Sequence, residues 1–353
     1  MKVRNKLMGA GCAVIALMTT GGVYAGQGCS SITDYSSAWA SPATPETMDL
    51  TEVKMPWRIS LDYSYNNANQ LILGRNRQNA VTDKYSETYT PGNPGTGLGV
   101  RNRYEELIAG VSYDYSQIIT VGMSLPYVKN QRWEDHMNYS HYTGEGNGDI
   151  IAFGKYWIKK EKDAFNTYAE LGLSLPTGTS NEQFSYPTVG PVTLTPAQAA
   201  VRYKAGYIEP GLGQWEPIIA LGFEKTVSER TSLYGRTQYS DPLGTNNAGY
   251  KSQSNLVTNL GVAYTFEKRN NQTFGVTGQF NWVFAQFRKD QRNGVDVANT
   301  GGNWVDFQPG AFYSPNGGIT TFTASLPIGI YYDANSIQTY APWSLKIGMS
   351  QRF

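Results

Sequence analysis

Few residues in this 353-residue chain are of types that carry out covalent chemistry. There are two histidines, His136 and His141, and both lie in Asp135-His-Met-Asn-Tyr-Ser140-His141. Asp135, His136 and His141 are of metal-ligating type, and Ser140 adjoins His141. A nucleophile and its base meet through the fold rather than through adjacency, however, and no second constellation supports a metal. A hydrated loop accounts for the segment. The glycine-rich segment 92–99 contains no Gly-Lys-Ser/Thr and follows no buried strand, so it is not a phosphate cradle. The sequence points to no enzyme, no cofactor and no metal.

A second set of residues could act without covalent chemistry. Arg58, Asp62, Glu106, Asp114, Asp149, Lys155, Glu170, Glu224, Arg236, Asp306, Lys346 and Arg352 all fall on the polar phase of alternating stretches. Charges lining a membrane pore set conductance and selectivity. The same charges could instead pair across the interior and only hydrate and stabilise it. Phe153, Trp157, Phe287, Phe312 and Tyr331 share that phase, so an apolar ligand surface or a packed constriction is expected among them.

The elements that must position these residues are strands. In 343–353, Trp343, Leu345, Ile347, Met349 and Phe353 occupy one face, with Gln351 the polar exception. Ser344, Lys346, Gly348, Ser350 and Arg352 occupy the other. Successive strand residues point to opposite faces, so this strand is apolar on one side and polar on the other. The pattern recurs at 57–65, 106–115, 119–127, 148–160, 165–177, 214–228, 232–242, 254–267, 272–289, 304–315 and 319–333, giving twelve strands. The connections after strands two, four, six, eight and ten are short. Those at 66–103 and 179–213 are long, and those near 135–147, 243–253, 290–303 and 334–342 run to about ten residues or more. An even strand number with short turns at one end and long loops at the other is the pattern of a transmembrane β-barrel. A β-sandwich does not sort its loops this way and buries one apolar face.

The fold expected is therefore all-β, a closed antiparallel up-and-down transmembrane barrel. In hydrocarbon every backbone polar group must be paired, so the sheet has to close on itself. Trp57, Tyr113, Tyr115, Tyr127, Tyr313, Tyr332 and Trp343 lie near strand ends, where interfacial aromatics belong. Mean hydropathy is −0.42, which excludes a bundle of apolar helices of about 20 residues each. Net charge is +1, so no large field exists to steer nucleic acid.

Residues 1–25 read as a secretion signal, with Lys2, Arg4 and Lys6 preceding an apolar stretch and Val23-Tyr24-Ala25 fitting the cleavage rule. Cys12 would leave with it, and Cys29 would be the single cysteine of the mature chain. Residues 26–56 read as a flexible periplasmic lead-in rich in Ser, Thr, Ala and Pro, and 57–353 as the barrel. The expected site is the outer membrane of a Gram-negative bacterium, with both termini periplasmic. The expected partners are outer-membrane lipid, the barrel-insertion machinery and a small-molecule solute. An apolar-faced last strand that ends on Phe353 resembles the segment read by that machinery.

The segment Gly146-Asn-Gly-Asp149-Ile-Ile-Ala-Phe-Gly-Lys155-Tyr156 resembles a Gly-x-Gly-Asp then Lys-Tyr signature of the outer-membrane proteins linked to the meta-pathway of phenol degradation. Leu171-Gly-Leu-Ser-Leu-Pro-Thr-Gly178, Ser124-Leu-Pro-Tyr127 and Gly211-Leu-Gly213 are similar to further segments of that family. The resemblance spans roughly 57–353 and implies a channel for hydrophobic or aromatic compounds. Two other functions remain compatible with the residues. One is a structural or surface-interaction barrel that binds through its long loops, and the other is a sheath for a periplasmic redox or secretion partner.

Overall fold

A computed structural model describes residues 55–78, 100–134, 140–161, 165–179, 210–246, 249–269, 272–288, 290–292, 294–296, 300–316 and 318–353. The secretion signal and nearly all of the lead-in expected from the sequence lie outside these residues, as do Asp135 and His136.

Among the described residues, twelve antiparallel strands close into a barrel. We number them in chain order. Strand β1 is Trp57–Ala68, β2 Val100–Asp114 and β3 Ile119–Glu134. Strand β4 has an outer segment Ser140–Asn147 and a membrane segment Ile150–Lys159. Then come β5 Phe165–Leu175, β6 Glu216–Thr226, β7 Thr231–Ser240, β8 Ser254–Arg269, β9 Gln272–Arg288 and β10 Gly302–Ser314. Strand β11 is split into Thr320–Ser325 and Ile328–Tyr340, and β12 is Ser344–Arg352. Each strand pairs with its sequence neighbours, and β1 also pairs with β12 from Arg58↔Arg352 to Asn66↔Ser344. At that seam the Trp57 amide donates to the Phe353 carbonyl (3.3 Å) and the Phe353 amide donates to Trp57 (2.9 Å). Pairing of the first strand with the last closes the barrel sheet within the described residues, as a hydrocarbon environment requires.

The twelve strands, their order and the five short turns match the sequence reading. All five turns lie at the end that holds Trp57 and Phe353. The turn between β10 and β11 contains Gly318 with φ 96°, in the left-handed region that favours glycine. At the other end the expectation needs correction. The connection expected at 334–342 is largely strand, because β11 runs to Tyr340 and leaves only 341–343 as the link to β12. Residues 140–147 are likewise strand. In both places the segment (Asn335-Ser-Ile-Gln-Thr339, for example) is mostly polar on both faces, so it carries no alternation to read. Hydrogen bonding to a neighbouring strand makes these segments strands: 334–340 pairs with Gln70–Gly74, and 140–147 pairs with β3.

The two faces separate by environment. Ile59, Leu61, Leu107, Met123, Leu125, Leu171, Leu221, Leu260, Phe280, Trp282, Ile330, Ile347 and Met349 are exposed on the outside. A soluble monomer does not present so large an apolar surface. Aromatic pairs flank this band. Trp57 and Tyr113 (centroids 4.8 Å apart), Phe165 and Phe223 (5.0 Å) and Phe266 and Phe274 (5.5 Å) sit toward the short-turn end, while Tyr65 and Trp343 (6.1 Å) sit toward the other. This matches the interfacial girdles of membrane barrels.

Two tyrosines reverse the facing expected from the sequence. Tyr331 is on the outside and Tyr332 is buried inside. A register shift explains both: Val305 pairs with Tyr331 but Asp306 pairs with Gly329, so one extra residue enters β11. A bulge of one residue moves every later side chain to the opposite face.

Candidate solute pathway in the barrel interior

The interior is built from aromatic rings laid over glycines on the neighbouring strand. Phe153 pairs with Gly122, Tyr168 with Gly222, Tyr234 with Gly261 and Phe312 with Gly275. At each of these glycines a Cβ would collide with the facing ring, so the missing side chain is what allows the ring to lie flat on the wall. Tyr332 covers Gly329 in the same way, within its own strand.

All twelve charged residues singled out from the sequence lie on the phase that faces the interior, but they are not one ring. Eight charges gather in the half nearest the short turns: Arg58, Asp114, Lys155, Glu170, Glu224, Arg236 and Arg352, plus Lys160 at the rim. Within this group Arg236 Nε donates to Glu170 Oε2 at 2.7 Å, and both side chains are almost wholly buried. Arg352 Nη1 lies 3.6 Å from Asp114 Oδ2. Lys160 donates to the Gln117 carbonyl at 2.6 Å. The Lys155 ammonium rests on two ring faces, 3.6 Å from the centroid of Tyr168 and 4.4 Å from that of Trp157. Trp157 and Tyr168 meet edge to face at 5.0 Å. A cation is attracted to the negative face of an aromatic ring, so this box holds a buried ammonium without a carboxylate contact.

Five of the twelve, Asp62, Glu106, Asp149, Asp306 and Lys346, lie apart from that group. Asp62 is on β1 beside Gly348, and Glu106 is buried on β2. Asp306 accepts from the Tyr332 hydroxyl at 3.4 Å and lies in the field of Lys346. Asp149 is committed to the outer loops. Its Oδ1 accepts from the Gly178 amide (2.8 Å), and its Oδ2 accepts from the amides of Leu212 (2.7 Å) and Gly213 (3.2 Å). The resemblance segments 146–149, 171–178 and 211–213 thus converge on one carboxylate that ties both ends of a long loop to β4. Asp149 and Lys155 do not pair, as their separation along the strand implies. Of the aromatic residues expected inside, Phe153, Trp157 and Phe312 are buried there. The Phe287 side chain lies outside the described residues, as does that of His141.

Several interior groups were not singled out from the sequence. Tyr168 shares the phase of Glu170, two residues on, which is signal enough to place it inside. Opposite the charged sector runs an amide chain. Gln279 donates to Asn281, Asn281 to Gln308 (2.8 Å), and Gln308 to Ser325 (2.9 Å). Gln279, Asn281 and Gln308 are each 0% exposed, so the interior at this level is filled rather than wide open. At the outer rim Asp290 accepts from the Tyr250 hydroxyl and from the Gln253 amide (2.7 Å), while its own amide donates to Thr300 Oγ1 (3.0 Å). Burial pushes the Asp290 carboxyl up to about 7, partly opposed by the bonds it accepts from Tyr250 and Gln253. No periodic pattern marks this cluster, because its members come from separate loops.

No protein family matches the sequence, and no curated protein matches it. Solved structures do match. An outer membrane channel from Pseudomonas putida F1 aligns with a TM-score of 0.59 and 10% identity, over 87% of this chain and 98% of that one. The transport unit of the autotransporter AIDA-I from Escherichia coli aligns at 0.45 with 12% identity, over 87% and 93%. A FadL homologue from Pseudomonas aeruginosa aligns at 0.41 with 9% identity, over 97% and 100%. The first likeness establishes the fold, and the other two are too loose to bear on the argument. Closed sheet, apolar outer band and polar interior together define a membrane-spanning β-barrel of the bacterial outer-membrane type.

Proposed function

We propose that the chain is an outer-membrane channel that passes small molecules, hydrophobic or aromatic in character, through the barrel interior. The observation that carries this reading is the division of every strand into a lipid-facing apolar face and an interior face of charges, amides and aromatic rings. A barrel that served only as a membrane anchor would have no need for a buried lysine held by Trp157 and Tyr168. The likeness to the Pseudomonas putida F1 channel supports the same reading, as does the resemblance to the phenol meta-pathway proteins. Residues 1–25 serve as the export signal, 26–56 as a periplasmic lead-in and 57–353 as the channel, with both termini periplasmic. Phe353 at the end of β12 is the mark for the insertion machinery. The charged interior residues are the pathway's lining.

A barrel without solute passage is a second reading, and the complete burial of Gln279, Asn281 and Gln308 favours it. Planar-bilayer recording of the folded protein separates the two. Discrete current steps, together with swelling of liposomes in small aromatic solutes, are expected for a channel. A folded, heat-modifiable protein that inserts without any current would refute it.

A further inference from the structure

The charged group near the short-turn end is unbalanced. Arg58, Lys155, Lys160, Arg236 and Arg352 face Asp114, Glu170 and Glu224. Two carboxylates are engaged by contact, Glu170 with Arg236 and Asp114 with Arg352. Lys160 is satisfied at the rim. Arg58 and Lys155 remain, and among the described residues neither has a carboxylate within 4 Å. Each is more than nine-tenths buried. Glu224 lies in the field of both without touching either. Arg58 Nε, Ser60 Oγ, Ser232 Oγ and Tyr234 Oη, on the same interior face, are buried without a hydrogen-bond partner. Buried donors left unpaired are costly, and a buried cation without a counter-charge more so. Strands β1 and β4 are separated by β2 and β3, so Arg58 and Lys155 approach from different parts of the wall. A carboxylate bearing one negative charge and two acceptor oxygens would satisfy donors of both and halve the excess. The adjoining surface is aromatic, formed by Phe153, Trp157 and Tyr168.

We propose that Arg58 and Lys155 form an anion-binding constriction in this half of the barrel, and that the solutes passed are small amphipathic carboxylates. The carboxylate is held by Arg58 and Lys155 and the apolar body lies along the aromatic wall. This rests on the channel reading above and gives it a substrate class. A guanidinium and an ammonium from two walls suit a planar carboxylate that moves past them, since two separated contacts can be made and released in turn.

The test uses the full chain folded into planar bilayers under a potassium chloride gradient, with sodium benzoate and then phenol added as probes of similar size. The wild type is expected to prefer chloride over potassium and to show its current reduced by benzoate but not by phenol. The double variant Arg58→Gln/Lys155→Gln is expected to lose both the anion preference and the benzoate effect. The wild-type comparison of benzoate with phenol decides the matter even if the variant fails to fold. Current with cation preference, or equal responses to benzoate and phenol, overturns this proposal and leaves the channel standing. Absence of any current from the folded protein overturns the channel reading and this proposal together.

Discussion

Placing a charge at Ile347 tests the facing of the whole sheet, because β12 pairs with both β1 and β11 and its side chains alternate between the two faces. Ile347 is about half exposed on the outer face, opposite Tyr63 on β1 and Ala324 on β11. It lies five positions before Arg352 at the short-turn end. At ~3.3 Å per residue and a tilt of ~40°, that is roughly 13 Å along the membrane normal, near the middle of an apolar band ~25 Å tall. A lysine on the lipid face at that depth costs about 2–4 kcal/mol. At ~1.4 kcal/mol per decade this lowers the folded-to-unfolded ratio by roughly 30- to 700-fold. Lys346→Gln changes the adjacent residue, which is buried on the opposite face, and leaves the lipid band untouched. Both variants can be refolded into liposomes and unfolded in urea, following tryptophan fluorescence and the heat-modifiable gel shift. Ile347→Lys is expected to shift the midpoint strongly, and Lys346→Gln to yield a folded barrel. Equal losses, or a greater loss from Lys346→Gln, would show that the two faces are assigned the wrong way round.

Two further outcomes follow from the buried groups. Arg236→Gln strips Glu170 of its ion-pair partner inside the barrel and is expected to cost about 3–5 kcal/mol, much of it recovered by adding Glu170→Gln, since the neutral pair leaves no buried charge; a double variant no more stable than the single one would mean that the pair is not a unit. The Asp290 carboxyl is raised from 3.8 to about 7 in the folded protein, so the folded state holds the extra proton between those values and the outer-rim cluster gains stability as pH falls from about 7 towards 4. Hydrogen exchange of the Gln253 amide, which donates to Asp290, is expected to slow over that range after correction for intrinsic exchange, and Asp290→Asn is expected to abolish the change. Exchange protection that instead rose with pH would contradict the burial of this carboxyl.

The alternation of Ile59, Leu61 and Tyr63 with Arg58, Ser60 and Asp62 was enough to identify β1, its facing and its place in a barrel. A strand in lipid has one apolar and one polar face at every step, and that property is local. The same locality fixes the strand number, the five short turns and the inward phase of all twelve charges. Where the residues themselves are mostly polar on both phases, as at 335–339, alternation vanishes and only pairing with Gln70–Gly74 makes the segment a strand. Tyr331 and Tyr332 exchanged faces because a single extra residue opposite Asp306 reset the phase, and nothing local announces a bulge.

What the amino-acid sequence could not decide is which inward groups meet. Glu170 and Arg236 are 66 residues apart and sit on strands separated by β6, and they touch because register sets them at nearly the same level, Glu170 opposite Ala220 and Arg236 opposite Gly222. Lys155 settles on Tyr168 and Trp157, Asp149 is spent on loop amides, and Arg58 is left with an unpaired donor. Facing repeats every two residues along one strand and can be read there. Contact across a closed barrel depends on register and closure together, and those exist only once every strand has found its neighbour.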